Sequence, residues 1–141
     1  MHNKSPSGSL CPYYFMGGEL HPLHYGNYNN DKNKLFEIIE KEEIFILNSS
    51  GINNRRIWID LYGTVIDNDV IDILANHLKS IKHKINKVCL VGCSSNVRRK
   101  IKNKLKLENM DLLNQIKYFT NPEKAKIWLI GKMDKLENNF E

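Results

Sequence analysis

A strand–turn–helix–strand pattern between Arg56 and Gly92 sets the frame into which the rest of this chain must fit. The apolar run Ile57–Leu61 contains an acid, Asp60, and leads into a Tyr62-Gly63 turn. A helical period follows, and Val88–Val91 forms a second apolar run. Short continuous apolar runs bounded by turns fit strands covered on both faces. Two parallel strands need a long crossover, usually a helix, and such crossovers are right-handed. Ligands and partners of these sheets gather beyond the carboxyl ends of the strands. Here those ends are Asp60–Asp69 and Gly92–Asn96.

The flanking sequence extends the pattern. Residues 31–48 follow a helix template, with Leu35, Ile38, Ile39, Phe45 and Ile46 near one stripe and Glu37, Glu40, Lys41 and Glu43 facing out. Asn30 or Asp31 caps its start, and Ser49-Ser50-Gly51 ends it. The run Ile44–Leu47 is also compatible with a strand. Asn68 or Asp69 caps the next helix, whose apolar face is Val70, Ile71, Leu74, Leu78 and Ile81. Ser94 or Ser95 caps a helix over about 96–105, and residues 115–119 read as a third strand. Asn121 caps a last helix with Pro122 in its first turn and Ala125, Trp128 and Leu129 inward. The expected architecture is an α/β three-layer sandwich with a small, mainly parallel sheet of three to five strands. Residues 1–30, rich in Gly, Pro, Ser, Asn and Tyr, read as a flexible arm in which Tyr13, Tyr14 and Phe15 are fit for a short edge strand. Residues 31–131 form the single domain, and 132–141 a frayed tail.

Composition excludes several classes. The chain has 141 residues, enough for one domain with a proper core. No apolar run approaches the roughly 18 residues needed to span a bilayer, and the start carries no apolar signal core. Three cysteines, Cys11, Cys89 and Cys93, give no disulfide framework and suit a reducing cytoplasm. The net charge of +5 points to nucleic acid. Lys, Asn and Ile are all over-used, however, as in an AT-rich genome, and such drift raises Lys everywhere without building a face. A nucleic-acid partner is therefore not expected. The basic run Arg98, Arg99, Lys100, Lys102, Lys104 and Lys106 reads as the solvated face of a helix buried through Val97, Ile101 and Leu105; an acidic protein or RNA is the alternative. His2, His21, His24 and Cys11 match no tetrahedral zinc spacing, and His77 and His83 are expected to face solvent, so neither a metal nor another cofactor is expected.

Two short segments carry chemistry. Asp60-Leu61-Tyr62-Gly63-Thr64 resembles the first motif of haloacid-dehalogenase-type phosphatases, in which a strand ends in an Asp nucleophile and a second Asp two residues on serves Mg²⁺ and acid–base chemistry. Asp60, Gly63 and Thr64 fit that pattern. Tyr62 stands where the second acid belongs, and a phenol with a pKa of about 10 is a poor proton shuttle at neutral pH. Cys93-Ser94-Ser95-Asn96-Val97-Arg98-Arg99 has the Cys-x5-Arg spacing of cysteine phosphatases, in which a strand–loop–helix turn aims N–H groups at an anion and lowers the thiol pKa. It lacks a preceding His and a Gly within the loop. Its plainer reading is a strand-end cysteine followed by a capped basic helix.

A longer resemblance runs through the last 75 or so residues. Ile66-Asp67-Asn68-Asp69-Val70, then Leu90-Val91-Gly92-Cys93-Ser94-Ser95-Asn96-Val97-Arg98-Arg99, then Tyr118-Phe119 and Ala125-Lys126-Ile127-Trp128-Leu129 follow in order the motifs of the STAS family, bacterial anti-sigma-factor antagonist domains, and of its SpoIIAA-like relatives. The resemblance implies a cytoplasmic, non-enzymatic protein-binding module with its partner face at Tyr62, Asp67, Asn68, Asp69, Ser94 and Ser95. The family's phosphorylated Ser falls at Asn68, which has no hydroxyl, and the family's N-terminal strands are not evident. Asp60, or Cys93 with Arg99, keeps a phosphate-handling enzyme as the alternative, and an apolar-ligand or lipid carrier is a further one.

Overall fold

The computed structural model describes residues 3–8, 10–11, 13–28, 31–48, 55–107 and 115–131. In chain order the elements are β1 (Asn3–Lys4), β2 (Leu10–Cys11), β3 (Tyr13–Phe15), β4 (Gly18–His24), α1 (Lys32–Asn48), β5 (Arg55–Asp60), α2 (Asn68–Ile81), β6 (Ile85–Val91), α3 (Ser95–Leu107), β7 (Ile116–Phe119) and α4 (Pro122–Leu129). β3 to β7 form one five-stranded sheet in chain order; β3 joins antiparallel and the remaining pairs are parallel. The fold is α/β, as expected.

Strand order explains where the helices lie. Each crossover from β4 to β7 moves one strand in the same direction, so a uniform hand places α1, α2 and α3 on one face. Their side chains share one core with Leu23, Ile57, Ile59, Val88 and Leu90. α4 follows the last strand and is under no crossover constraint. It covers the opposite face, where Ala125 and Leu129 pack on Leu20, Trp58, Cys89 and Val91. No described helix is long and apolar enough to cross a membrane.

The caps locate the helix ends. The Asp31 carboxylate accepts the Lys34 N–H at 3.1 Å. Ser94 Oγ accepts the Val97 N–H at 3.2 Å. Asn121 Oδ1 accepts the N–H groups of Glu123 and Lys124, with Pro122 in the first turn as expected. The cap of α2 is Asp67, which accepts the Val70 N–H at 3.0 Å, and not Asn68 or Asp69. The apolar pattern fixes the helix face, but only the side-chain geometry selects among three adjacent cap-forming residues.

Three expectations are corrected. His77 lies on the inner face of α2 with no exposed area, whereas His83 is exposed. Glu43 turns partly inward to meet His77. Residues 13–24, read as part of an arm, supply two strands of the sheet, with Leu20, His21 and Leu23 buried; the expected edge strand at Tyr13–Phe15 is β3. The expected tail 132–141, the helix-ending residues 49–51, His2 and the side chain of Cys11 lie outside the described residues.

Trp58 packs in the α4-side core, and its indole N–H donates to Pro122 O at 3.3 Å. Trp58→Ala is expected to cost about 3–5 kcal/mol, measured by urea unfolding. A loss below about 1 kcal/mol would contradict the packing of α4 on this strand.

Candidate functional site at the carboxyl edge of the sheet

The turn after β5 forms the centre of the carboxyl edge. Its backbone closes through the Thr64 N–H to Leu61 O at 3.1 Å, and Gly63 supplies the positive φ, +86°, that the third turn position requires. The turn sits between two glycines on neighbouring segments. A Cβ on Gly26 would lie 1.8 Å from Tyr62 O, and one on Gly92, whose φ is +94°, would lie 2.9 Å from the Tyr62 ring and backbone. Both positions therefore have to be bare for the turn to approach. Thr64 Oγ1 donates to Tyr25 O at 3.0 Å, and the Tyr62 hydroxyl donates to Thr120 O. Tyr62 is thus held at its base, its ring and its tip while remaining about half exposed. Three residues on in the same loop, Val65 is 60% exposed.

The acids near this turn are already engaged. The Lys32 ammonium contacts Asp67 and lies 3.3 Å from Asp69, tying α1 to the start of α2. Lys32 and the Val70 N–H hold the Asp67 carboxyl below its ordinary pKa. The two aspartates raise that of Lys32 in return. Asn68 and Asp69 are exposed in the first turn of α2, and Ser94 and Ser95 are exposed at the start of α3.

Asp60 and Cys93 do not share a pocket. Side chains alternate along a strand. Ile57 and Ile59 face α1–α3, while Trp58 and Asp60 face α4. On that side Asp60 accepts the Tyr62 N–H at 3.0 Å and lies 3.7 Å from His24 Nδ1 on the paired strand. Lys126 of α4 lies close by, its ammonium 4.9 Å from the Trp58 ring centre. Partial burial pushes the Asp60 carboxyl up; His24, the Tyr62 N–H and Lys126 outweigh it and leave the pKa below the ordinary value. Cys93 is packed in the opposite core, 5% exposed. Burial pushes its thiol up to about 11, with Arg98 only partly offsetting it. Almost none of it is thiolate at neutral pH, so it is not the activated nucleophile that a Cys-x5-Arg site requires. Arg99 is exposed, and its guanidinium donates to Asn96 Oδ1 at 2.7 Å.

His24 and Lys126 therefore join Asp60 in a cluster absent from the sequence expectations. No local spacing links residues 24, 60 and 126; only the strand register His24↔Asp60 and the return of α4 bring them together. Among the described residues, no group of three or more His, Cys, Asp or Glu gathers to hold a metal ion. No family model matches the chain, and neither a curated protein nor a solved structure does.

The depressed Asp60 pKa has a definite consequence. The unfolded carboxyl takes up its proton near its ordinary value, about 3.9, and the folded one only at lower pH. Its stabilisation is present above that value and is lost as pH falls through the folded pKa. Asp60→Asn should lower the urea midpoint at pH 6, with the gap to wild type narrowing by pH 3. A gap that stays constant or widens in acid would contradict the arrangement.

Proposed function

We propose that this chain is a non-enzymatic, STAS/SpoIIAA-like protein-binding module whose partner face is the carboxyl edge around Tyr62. The observation carrying the proposal is the fixed, half-exposed Tyr62 with exposed Val65 in the same loop. Association costs less when the contacting side chains are already ordered, and aromatic anchors dominate many interfaces. Polar side chains are exposed at the same edge of the sheet, Asn68 and Asp69 at the start of α2 and Ser94 and Ser95 at the start of α3. Asp67 acts within the fold, as the α2 cap, and contributes to the face through the position it gives Asp69.

The resemblance would place a regulatory phosphoryl group at residue 68. Asn68 cannot carry one, so this face works without that switch. The enzyme alternatives are weaker. Asp60 is occupied by the Tyr62 N–H and by His24, Tyr62 supplies no carboxylate, and Cys93 is buried and protonated. No specific observation favours an apolar-ligand carrier.

The test is affinity capture from the native cell extract with the immobilised chain, quantified by mass spectrometry. Val65→Glu/Asn68→Lys changes only exposed side chains outside the Lys32 clamp and should fold normally. A protein captured by wild type and by a distant control, Glu37→Lys/Glu40→Lys, should fall at least tenfold on the edge variant. Equal capture by all three equally folded proteins would rule this face out.

A further inference from the structure

Charge on this chain is sorted along the sequence. Between Asp72 and Glu108 there is no Asp or Glu, yet ten of the 21 Lys and Arg fall there. Compositional drift alone would scatter lysine evenly, as the sequence expectation supposed. The acids cluster earlier instead, with nine of the 16 lying between Asp31 and Asp72. An asymmetry of this kind points to a polyanionic partner.

The fold sets part of this charge in one groove on α3, next to β7. Arg98 or Arg99, Lys102 and Lys106 recur at near-turn spacing on the outer side of α3, about 6 Å apart along its axis. With Ser95 and Asn103 they line a shallow groove of about 320 Å³. Arg98 and Arg99 are hydrogen-bonded to the neutral oxygens of Ser95 and Asn96, so their charge is not cancelled there. Lys102 lies 5.3 Å from the Tyr118 ring centre and so joins the groove to β7. On the other side of β7, Phe119 and Trp128 pack with ring centres 5.9 Å apart. Lys117 lies 5.8 Å from both rings, and Lys87 lies 5.0 Å from Trp128. Both rings are partly exposed. Among the described residues β7 pairs only with β6.

We propose that the outer side of α3 and the Phe119–Trp128 pair beside β7 together bind single-stranded nucleic acid. The row of cations tracks a phosphate backbone, and the Phe119–Trp128 pair offers ring surface on which bases stack. This combination of a basic groove with aromatic platforms distinguishes a single strand from an acidic protein, which has no use for the ring faces, and from a duplex, whose base faces are covered. The groove shares Ser95 with the Tyr62 face, but the cations and rings it uses are not part of that face, so either proposal can fail without the other.

Fluorescence anisotropy with a labelled 12-nucleotide oligouridylate and the matching oligothymidylate tests this directly. Wild type should bind at least one of them at 50 mM NaCl, weakening steeply with salt. The exposed triple Arg99→Ala/Lys102→Ala/Lys106→Ala should lose at least tenfold in affinity. It should also flatten the log–log salt slope by about 2, at about 0.7 per lost phosphate contact. Trp128→Leu, checked for folding by circular dichroism, should lose affinity with little change in slope; Trp128→Phe should recover it. The control Lys4→Ala/Lys34→Ala/Lys41→Ala, which removes equal charge elsewhere, should stay within about twofold of wild type. Three results would each overturn the proposal: no binding at 50 mM NaCl, equal losses in the control triple, or polyglutamate competing as well per charge as unlabelled oligonucleotide.

Discussion

Strand β5 decides what the two faces of this protein can do. It is covered on both sides and paired along both edges, and its alternation is strict: Ile57 and Ile59 enter the core beneath α1–α3, and Trp58 the core beneath α4. A one-residue slip would exchange these sets and bring Asp60 under the three-helix layer. The same alternation separates the candidate catalytic groups. Asp60 emerges on the α4 side with His24 and Lys126, while Cys93 turns into the opposite core. The sheet lies between them, and what remains at its carboxyl edge is an ordered surface centred on Tyr62.

The N-terminal segment is fastened to this frame by buried polar groups. Adjacent acids on α1 each meet a histidine. Glu43 accepts from His77 Nδ1 at 3.0 Å, which leaves Nε2 to accept the Tyr25 hydroxyl at 2.7 Å. Glu42 lies 3.5 Å from His21 Nε2, whose Nδ1 accepts from Arg55 at 2.9 Å, and Glu42 also accepts the Ser7 N–H at 3.0 Å. Burial, reinforced by the charges of Glu42 and Glu43, holds the Tyr25 hydroxyl protonated far above its usual range. Buried charge is costly without its partner. The first network therefore holds α1 to α2 and to the segment just after β4, and the second holds α1 to β4 and β5.

Much of the α/β body was legible from the sequence because its segments bury one consistent face. Ile57–Ile59, Val88–Val91 and the α2 stripe have the periods of their elements, and Asn121-Pro122 has the chemistry of a helix start. β4 was not legible because Pro22 and two histidines interrupt its apolar pattern. Pro22 is tolerated because β3 pairs with β4 only up to Leu20, so beyond that point β4 pairs with β5 alone. The burial of His77 is hidden by its polarity but not by its spacing. Positions 70, 74, 77 and 81 follow one helical stripe, and all four are buried. The Asp60–His24–Lys126 cluster and the Lys32 clamp depend on strand register and helix return, which no local pattern encodes. The basic run was visible, but its value as a surface appears only when α3 and β7 come together.

The central claim is that the carboxyl edge is a binding surface and not a reaction centre. The most direct measurement is turnover of p-nitrophenyl phosphate with Mg²⁺ by purified wild type and Asp60→Asn at neutral pH. The account predicts no turnover above background for either protein, because Tyr62 brings no second carboxylate to Asp60. Wild-type turnover that disappears in a folded Asp60→Asn variant would contradict it.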